Sequence, residues 1–364
     1  MAYFDHNATA PVSIEVVNAV TTALKTYGNP SSVHAEGRVA RAAIEMAREE
    51  VAQLVGAKPE NVIFTSGATE ANNQALLGCG RKQVLASAIE HPSVLEVVPN
   101  DKQIPVSSNG ITDLDVLSDM LKQSGPSVVV SVMAANNESG IIQPVKASAG
   151  VAHAAGALFH CDAVQALGRI PFDMKLSGAD MVTISAHKIG GPKGVGALIL
   201  ADGIEIGRFV HGGGQERHYR GGTENVAGIA GFGVAAKQAA ERQINISRIA
   251  NLIRLLERCA LAAVPDAVVF GKEVPRIANT SLIALPGVDA ETQIMALDLA
   301  GIYVSAGSAC SSGKVTESHV LRAMGIDNAV SRCAIRISLG FENTIEEVDK
   351  FIEVWSGLTK RRGK

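Results

Sequence analysis

Short apolar runs alternate along this chain with stretches whose apolar positions recur at helical spacing. Val62–Thr65, Gln83–Ala86, Val128–Met133, Ala157–Cys161, Met181–Ile184 and Val195–Leu200 are runs of the first kind and read as strands. Glu36–Val55 is of the second kind: Val39, Ala43, Met46, Val51 and Leu54 recur at helical spacing, and Gly56 supplies a stop. Further helices are expected from about Ala68, at Leu114–Lys122 and at Val145–Ala155. Strand and helix in alternation predict an α/β fold, a mostly parallel sheet with helices on both faces.

The texture changes after Asn225. A Gly/Ala-rich helix leads into a longer, more charged one, roughly Arg242 to Ala262. Shorter strands at Ser281–Leu285 and Ala334–Leu339 and two helices follow. A domain boundary is therefore expected near residue 240, with a smaller α+β domain after it.

Composition narrows the function classes. The chain has 364 residues, 47% of them apolar, long enough to bury a large core. A net charge of −3 supplies no positive field for nucleic acid or an anionic membrane. The most apolar stretch, Val226–Ala236, is too short to span a bilayer. The start, MAYFDHNATAPV, lacks the basic and apolar segments of a signal peptide. Five cysteines with no C-x-x-C argue against disulfides and structural zinc and for a reducing cytoplasm; no metal centre is expected. Cys79, Cys161, Cys259 and Cys333 sit in or beside apolar segments and read as packing. Cys310 sits among small residues in Gly307–Gly313, which reads as a loop, and a reactive thiolate needs such exposure.

In open parallel sheets the chemistry gathers at the carboxyl ends of strands. After Val62–Thr65 come Ser66, Gly67, Ala68 and Thr69, where free N–H groups at a helix start form an anion cradle. After Ala157–Cys161 comes Asp162, a carboxylate that needs a cationic partner if desolvated. Cys161 should then point to the opposite face of its strand. After Met181–Ile184 come Ser185, His187 and Lys188 and a glycine-rich turn, and partial burial would make the lysine a competent amine nucleophile. An amine for a Schiff base, a carboxylate for a pyridinium nitrogen and an anion cradle together describe a pyridoxal phosphate site. Gly307–Lys314 has the wrong spacing for a phosphate-binding P-loop, and Gly228–Gly233 the wrong glycine order for a dinucleotide site.

Eleven stretches in order then resemble the cysteine desulfurases of the NifS/IscS type, in the class V branch of fold-type I pyridoxal phosphate enzymes. Among them are GNPSSVH (28–34), FTSGATEANN (64–73), EHPSV (90–94), NNESG (136–140), HCDAVQ (160–165), SAHKIGGPKGVGAL (185–198), GGGQERHYRGGTEN (212–225), GSACSSG (307–313) and IRISLG (335–340). The resemblance implies a large cofactor-binding domain over 13–240. Residues 1–12 and 241–364 would form a small domain carrying Cys310 and Arg336. Lys188 looks like the Schiff-base lysine, Asp162 the partner of the ring nitrogen, Gln165 that of the ring oxygen, and His91 the residue stacked on the ring. Ala68, Thr69, Ser185 and His187 would hold the phosphate, with Thr223 similar to a threonine given by the second subunit of a homodimer. Arg336 resembles the arginine that grips the substrate carboxylate, with Asn136 and Asn29 beside it. Cys310 would receive sulfur from L-cysteine, release L-alanine, and pass the persulfide to an acceptor protein for iron–sulfur cluster assembly or thiolation. A selenocysteine lyase or another class V enzyme is the alternative. The short tail after IRISLG departs from the family's usual length and leaves scaffold docking open.

Overall fold

The computed structural model describes residues 1–307 and 317–361. Cys310 lies outside the described residues. Seven strands form the larger sheet, in the order Val62–Thr65, Gly196–Leu200, Met181–Ser185, Leu158–Asp162, Val128–Ser131, Gln83–Ser87 and Gln103–Ile104. Its core is parallel, as expected from the alternating pattern. Gly196–Leu200 alone runs antiparallel to both of its neighbours.

Helices cover both faces, so the central strands are buried throughout. One core gathers Ile44, Val51, Phe64, Val130, Phe159, Cys161, Ile184 and Phe232. Ile63, Leu76, Ala86, Val129, Met181 and Leu198 pack on the other face. Cys161 is thus core, while its neighbour Asp162 faces the opposite way, toward Asn72.

The Ala35–Val55 helix starts on a His34 side-chain cap and ends at Gly56, whose φ of +69° favours glycine. Its buried stripe is Ala40, Ile44, Ala47, Val51 and Val55. Val39 and Met46, expected on that stripe, are 53% and 67% exposed. The register is fixed by the Val226–Gln243 helix, where a Cβ on Gly233 would lie 2.6 Å from the Ala47 Cα. Only small residues permit that approach, which explains the Gly/Ala-rich composition of the second helix. That helix includes Arg242, and a new one, Ile246–Ala263, begins after Ile244 and Asn245. The expected start at Arg242 is corrected accordingly.

A second, antiparallel sheet has the order Ser305–Ala306, Ala334–Ser338, Thr280–Ala284 and Val268–Val269. Phe4, Leu256, Ile335, Phe351 and Trp355 share its core. The chain's start is stitched to this unit: Ala2–Tyr3 pairs with Ile302–Tyr303, and Asp5 bridges to Ser338. Residues just beyond Asp5 are thereby delivered to the ends of the large sheet's strands. Among the described residues no helix is long and apolar enough to cross a membrane.

Candidate active site

A cleft of about 740 Å³ opens at the carboxyl ends of the parallel strands. Asp162, Ser185, His187 and Lys188 line it from the large sheet, and Ser305, Ala306 and Arg336 from the small one. Asn7, Ala8 and Thr9 complete the wall between them.

Ser66, Gly67, Ala68 and Thr69 line the cleft where the Ala68–Gly78 helix begins. A Cβ on Gly196 would lie 2.8 Å from the Gly67 carbonyl carbon, so glycine there lets the turn settle on the neighbouring strand. First-turn N–H groups have no intrahelical acceptors and favour an anion. Glu70 braces the turn, accepting from the Ser66 N–H at 3.0 Å and hydroxyl at 2.5 Å while Arg220 donates to it at 2.9 Å. Burial and the nearby Lys188 and Lys193 push His187 down to about 4, so its ring is neutral at ordinary pH. Its buried Nδ1 has no hydrogen-bond partner among the described residues. A neutral imidazole with an unmet nitrogen, lining the same cleft as Lys193 and this turn, fits a polar ligand such as a phosphate ester.

Asp162 ends its strand with 5% exposure. It accepts from Asn72 Nδ2 at 2.9 Å and from the Val164 N–H at 3.0 Å. Among the described residues no Lys, Arg or His forms an ion pair with it. Its oxygens are thus free of a direct ion pair with the described residues, which fits a cationic group on a ligand.

Lys188 donates from Nζ to the Asn7 and Ala8 carbonyls at 2.7 and 2.9 Å. Burial, helped by the Arg336 and Arg169 charges and opposed by Asp162 and Asp5, pushes it down to about 8. That places a neutral, nucleophilic amine within reach of working pH. Burial also lowers His91, against the pull of Asp162. Its Nδ1 accepts from the Ser93 N–H at 3.0 Å, so the neutral ring carries its proton on Nε2. Gln165 donates from Nε2 to the Asn7 carbonyl at 3.1 Å, and its Oε1 accepts from Arg169.

Arg336, in the middle of Ala334–Ser338, donates to Asp5 Oδ1 at 2.7 Å and to the Asn137 carbonyl at 3.1 Å. Its buried Nε has no hydrogen-bond partner among the described residues. The structure thus brings together Ala68, Thr69, His91, Asp162, Gln165, Ser185, His187, Lys188 and Arg336.

Three expected residues do not line this chain's own cleft, and for Thr223, expected to serve a partner subunit, that is no conflict. Asn136 is buried: its Oδ1 accepts from the Glu138 and Ser139 N–H groups, its Nδ2 donates to the Ile89 carbonyl, and Asn137 lines the cleft in its place. Asn29 is exposed, with its Oδ1 engaged by the Ser31 N–H. Thr223 is exposed in an adjoining cavity that shares Ser66 and Gly194 with the cleft. Sequence reasoning assigned no role to Asp5, Asn7, Asn72 or Arg169. Asp5 and Asn7 lie in Asp5–Pro11, one of the eleven stretches that resemble the family, but nothing in its spacing announces a contact with residues 188 or 336.

The model of the family described as "Aminotransferase class-V" matches residues 2–351. A cysteine desulfurase of Sinorhizobium fredii is 41% identical over 99% of this chain and 96% of its own. Cysteine desulfurase IscS of Dictyoglomus turgidum is 39% identical over 99% of this chain and 94% of its own. The solved NifS-like protein of Rickettsia africae superposes with a TM-score of 0.92 at 36% identity, covering 99% of both chains. Matches of this extent, on a cleft with this chemistry, show that the chain belongs to the class-V aminotransferase family, among its NifS/IscS-type cysteine desulfurases.

Proposed function

We propose that the chain takes the sulfur from L-cysteine with the help of pyridoxal phosphate, releasing L-alanine and leaving a persulfide on Cys310. The observation that carries the reading is one cleft meeting three separate demands. Ala68, Thr69, Ser185 and His187 fit a phosphate ester. Asp162, buried without a cation of its own, fits a protonated ring nitrogen. The lowered pKa of Lys188 fits an amine that captures an aldehyde. Full-length likeness to cysteine desulfurases supports the same reading.

When bound, the cofactor supplies an electron sink for charge developing at the substrate Cα. The residues do the rest. Arg336 presents a planar fork to the substrate carboxylate. Lys188, its proton affinity lowered by burial, takes the Cα proton as a general base. Asp162 would hold the ring nitrogen's proton, and the Gln165 amide nitrogen would face the ring oxygen. His91, which lines the cleft with its proton on Nε2, would donate to the reacting groups. The Cys310 thiolate attacks the substrate sulfur: an S–S bond forms, the Cβ–S bond breaks, and Cβ keeps the electron pair and gains a proton. Cysteine and a thiol thus become alanine and a persulfide, with no outside oxidant.

The reading includes a homodimer in which Thr223 reaches the partner's cleft. It includes a large domain over 13–240 and a small one formed by 1–12 with 241–364. A cytoplasmic setting and a sulfur-acceptor protein complete it. Exposed Leu24, Tyr27, Val33, Val39 and Met46, on or beside the helices Ile14–Lys25 and Ala35–Val55, support a subunit contact. The test is incubation of cofactor-loaded protein with L-cysteine and a thiol reductant. Alanine and sulfide are expected, and absence of both would overturn the reading.

A further inference from the structure

Arg169 lies behind the cleft, 7% exposed, in the turn that follows Asp162. Its guanidinium has no carboxylate partner among the described residues. It donates instead to the side chain of Gln165, to the Gln165 carbonyl at 3.2 Å, and to the His6 and Lys188 carbonyls at 3.4 Å. An unpaired buried charge is costly and clusters where chemistry uses it.

What the charge does follows from its contacts. Gln165 Oε1 is held by Arg169, so the amide nitrogen is the end left for the cleft. One Nε2 hydrogen goes to the Asn7 carbonyl, which also accepts from Lys188 Nζ at 2.7 Å. The second is available to a ligand oxygen. Arg169 therefore touches both the donor that would face the ring oxygen and the backbone of the nucleophilic lysine. Other charges face Lys188: Asp162 and Asp5 favour its protonated form, Arg336 opposes it, and His91, His187 and Lys193 stand around the same cleft. On the far side, Arg169 shares a small cavity of about 60 Å³ with His6, Arg242 and Glu342.

We propose that Arg169 is a positioning residue of the reaction: its uncompensated charge turns the Gln165 amide nitrogen into the cleft and keeps positive potential behind Lys188. An oxygen facing Gln165 then meets only a donor, which suits an oxyanion. A proton on the Lys188 nitrogen is disfavoured whether that nitrogen is free or covalently engaged. The inference rests on the cofactor-dependent reading above.

The test is a pH titration of the visible absorption band of the cofactor-loaded enzyme, without substrate. In R169M the midpoint rises by about one pH unit, a tenfold gain in proton affinity. In R169K the charge remains, and the midpoint stays within a few tenths of a unit of the parent. A parental midpoint in folded, loaded R169M overturns the proposal. Should R169M not fold, R169K still decides, because a full-unit rise with the charge retained overturns it equally. A parent enzyme that shows no visible band contradicts the functional reading instead.

Discussion

The large-sheet wall of the cleft and the small-sheet wall hold their charges in opposite states. On the large-sheet wall, among the described residues, Asp162 has no ion-pair partner, His187 Nδ1 has no hydrogen-bond partner, and the helix start at Ala68 offers amides with no internal acceptor. Across the cleft, Arg336 is already paired with Asp5 at 2.7 Å and tied to the Asn137 carbonyl. On the proposed reading, a resident ligand would complete the first wall by satisfying its groups together. On the same reading, the second would share or exchange its existing Asp5 contact each time a substrate carboxylate arrives. Tight retention would then belong to one wall and turnover to the other.

Substitutions separate these roles. Lys188→Ala should lower alanine formation by about 10³-fold or more, because nucleophile and general base vanish together. Measurable turnover at a tenth of the parent rate would break the large-sheet side of the comparison. Asp162→Asn removes the buried acceptor for a ligand cation. Losing one member of a buried ion pair costs about 3–5 kcal/mol, so turnover should fall by roughly 10²- to 5 × 10³-fold, with weaker cofactor retention on gel filtration. On the other wall, Arg336→Lys keeps the charge and loses the fork. The expected loss in kcat/KM for cysteine is about 10- to 100-fold, carried mainly by KM. A loss confined to kcat would mean that Arg336 does more than bind.

The pH response sharpens the same contrast with a smaller effect. Lys188 is held at about 8 in the protein, and only its neutral form attacks a carbonyl. Below that value each pH unit cuts the reactive fraction about tenfold. The rate at which apoprotein covalently captures the cofactor should therefore climb from about pH 6 and level off above about pH 8. A rate still climbing tenfold per unit above about pH 9 would show a lysine of ordinary basicity.

Much of this was legible because it is local. Thr69, Asp162 and Lys188 each follow an apolar run by a residue or a few, and a parallel sheet puts all such positions at one edge. Local patterns stop where partners are distant. Arg336 and Asp5 are 331 positions apart, and nothing near either names the other. Asn136 and Asn137 are chemically equal neighbours. Which of them lines the cleft is decided by a turn in which Asn136 Oδ1 binds the next backbone amides. Val39 and Met46 fit a helical stripe by period alone, but the close approach of Gly233 to Ala47 selects a different face for burial. Arg169 was invisible for another reason: a buried arginine without an acid contradicts the usual pairing of charges, and only the structure exposes the violation.

The most direct measurement is a mass analysis of the peptide containing Cys310 after cofactor-loaded enzyme meets L-cysteine without reductant, with alanine quantified in the same sample. The account predicts one added sulfur atom on Cys310 and one alanine for each sulfur carried. Unmodified Cys310 in a sample that has formed alanine would contradict it, as would sulfur held on Cys79, Cys161, Cys259 or Cys333 instead.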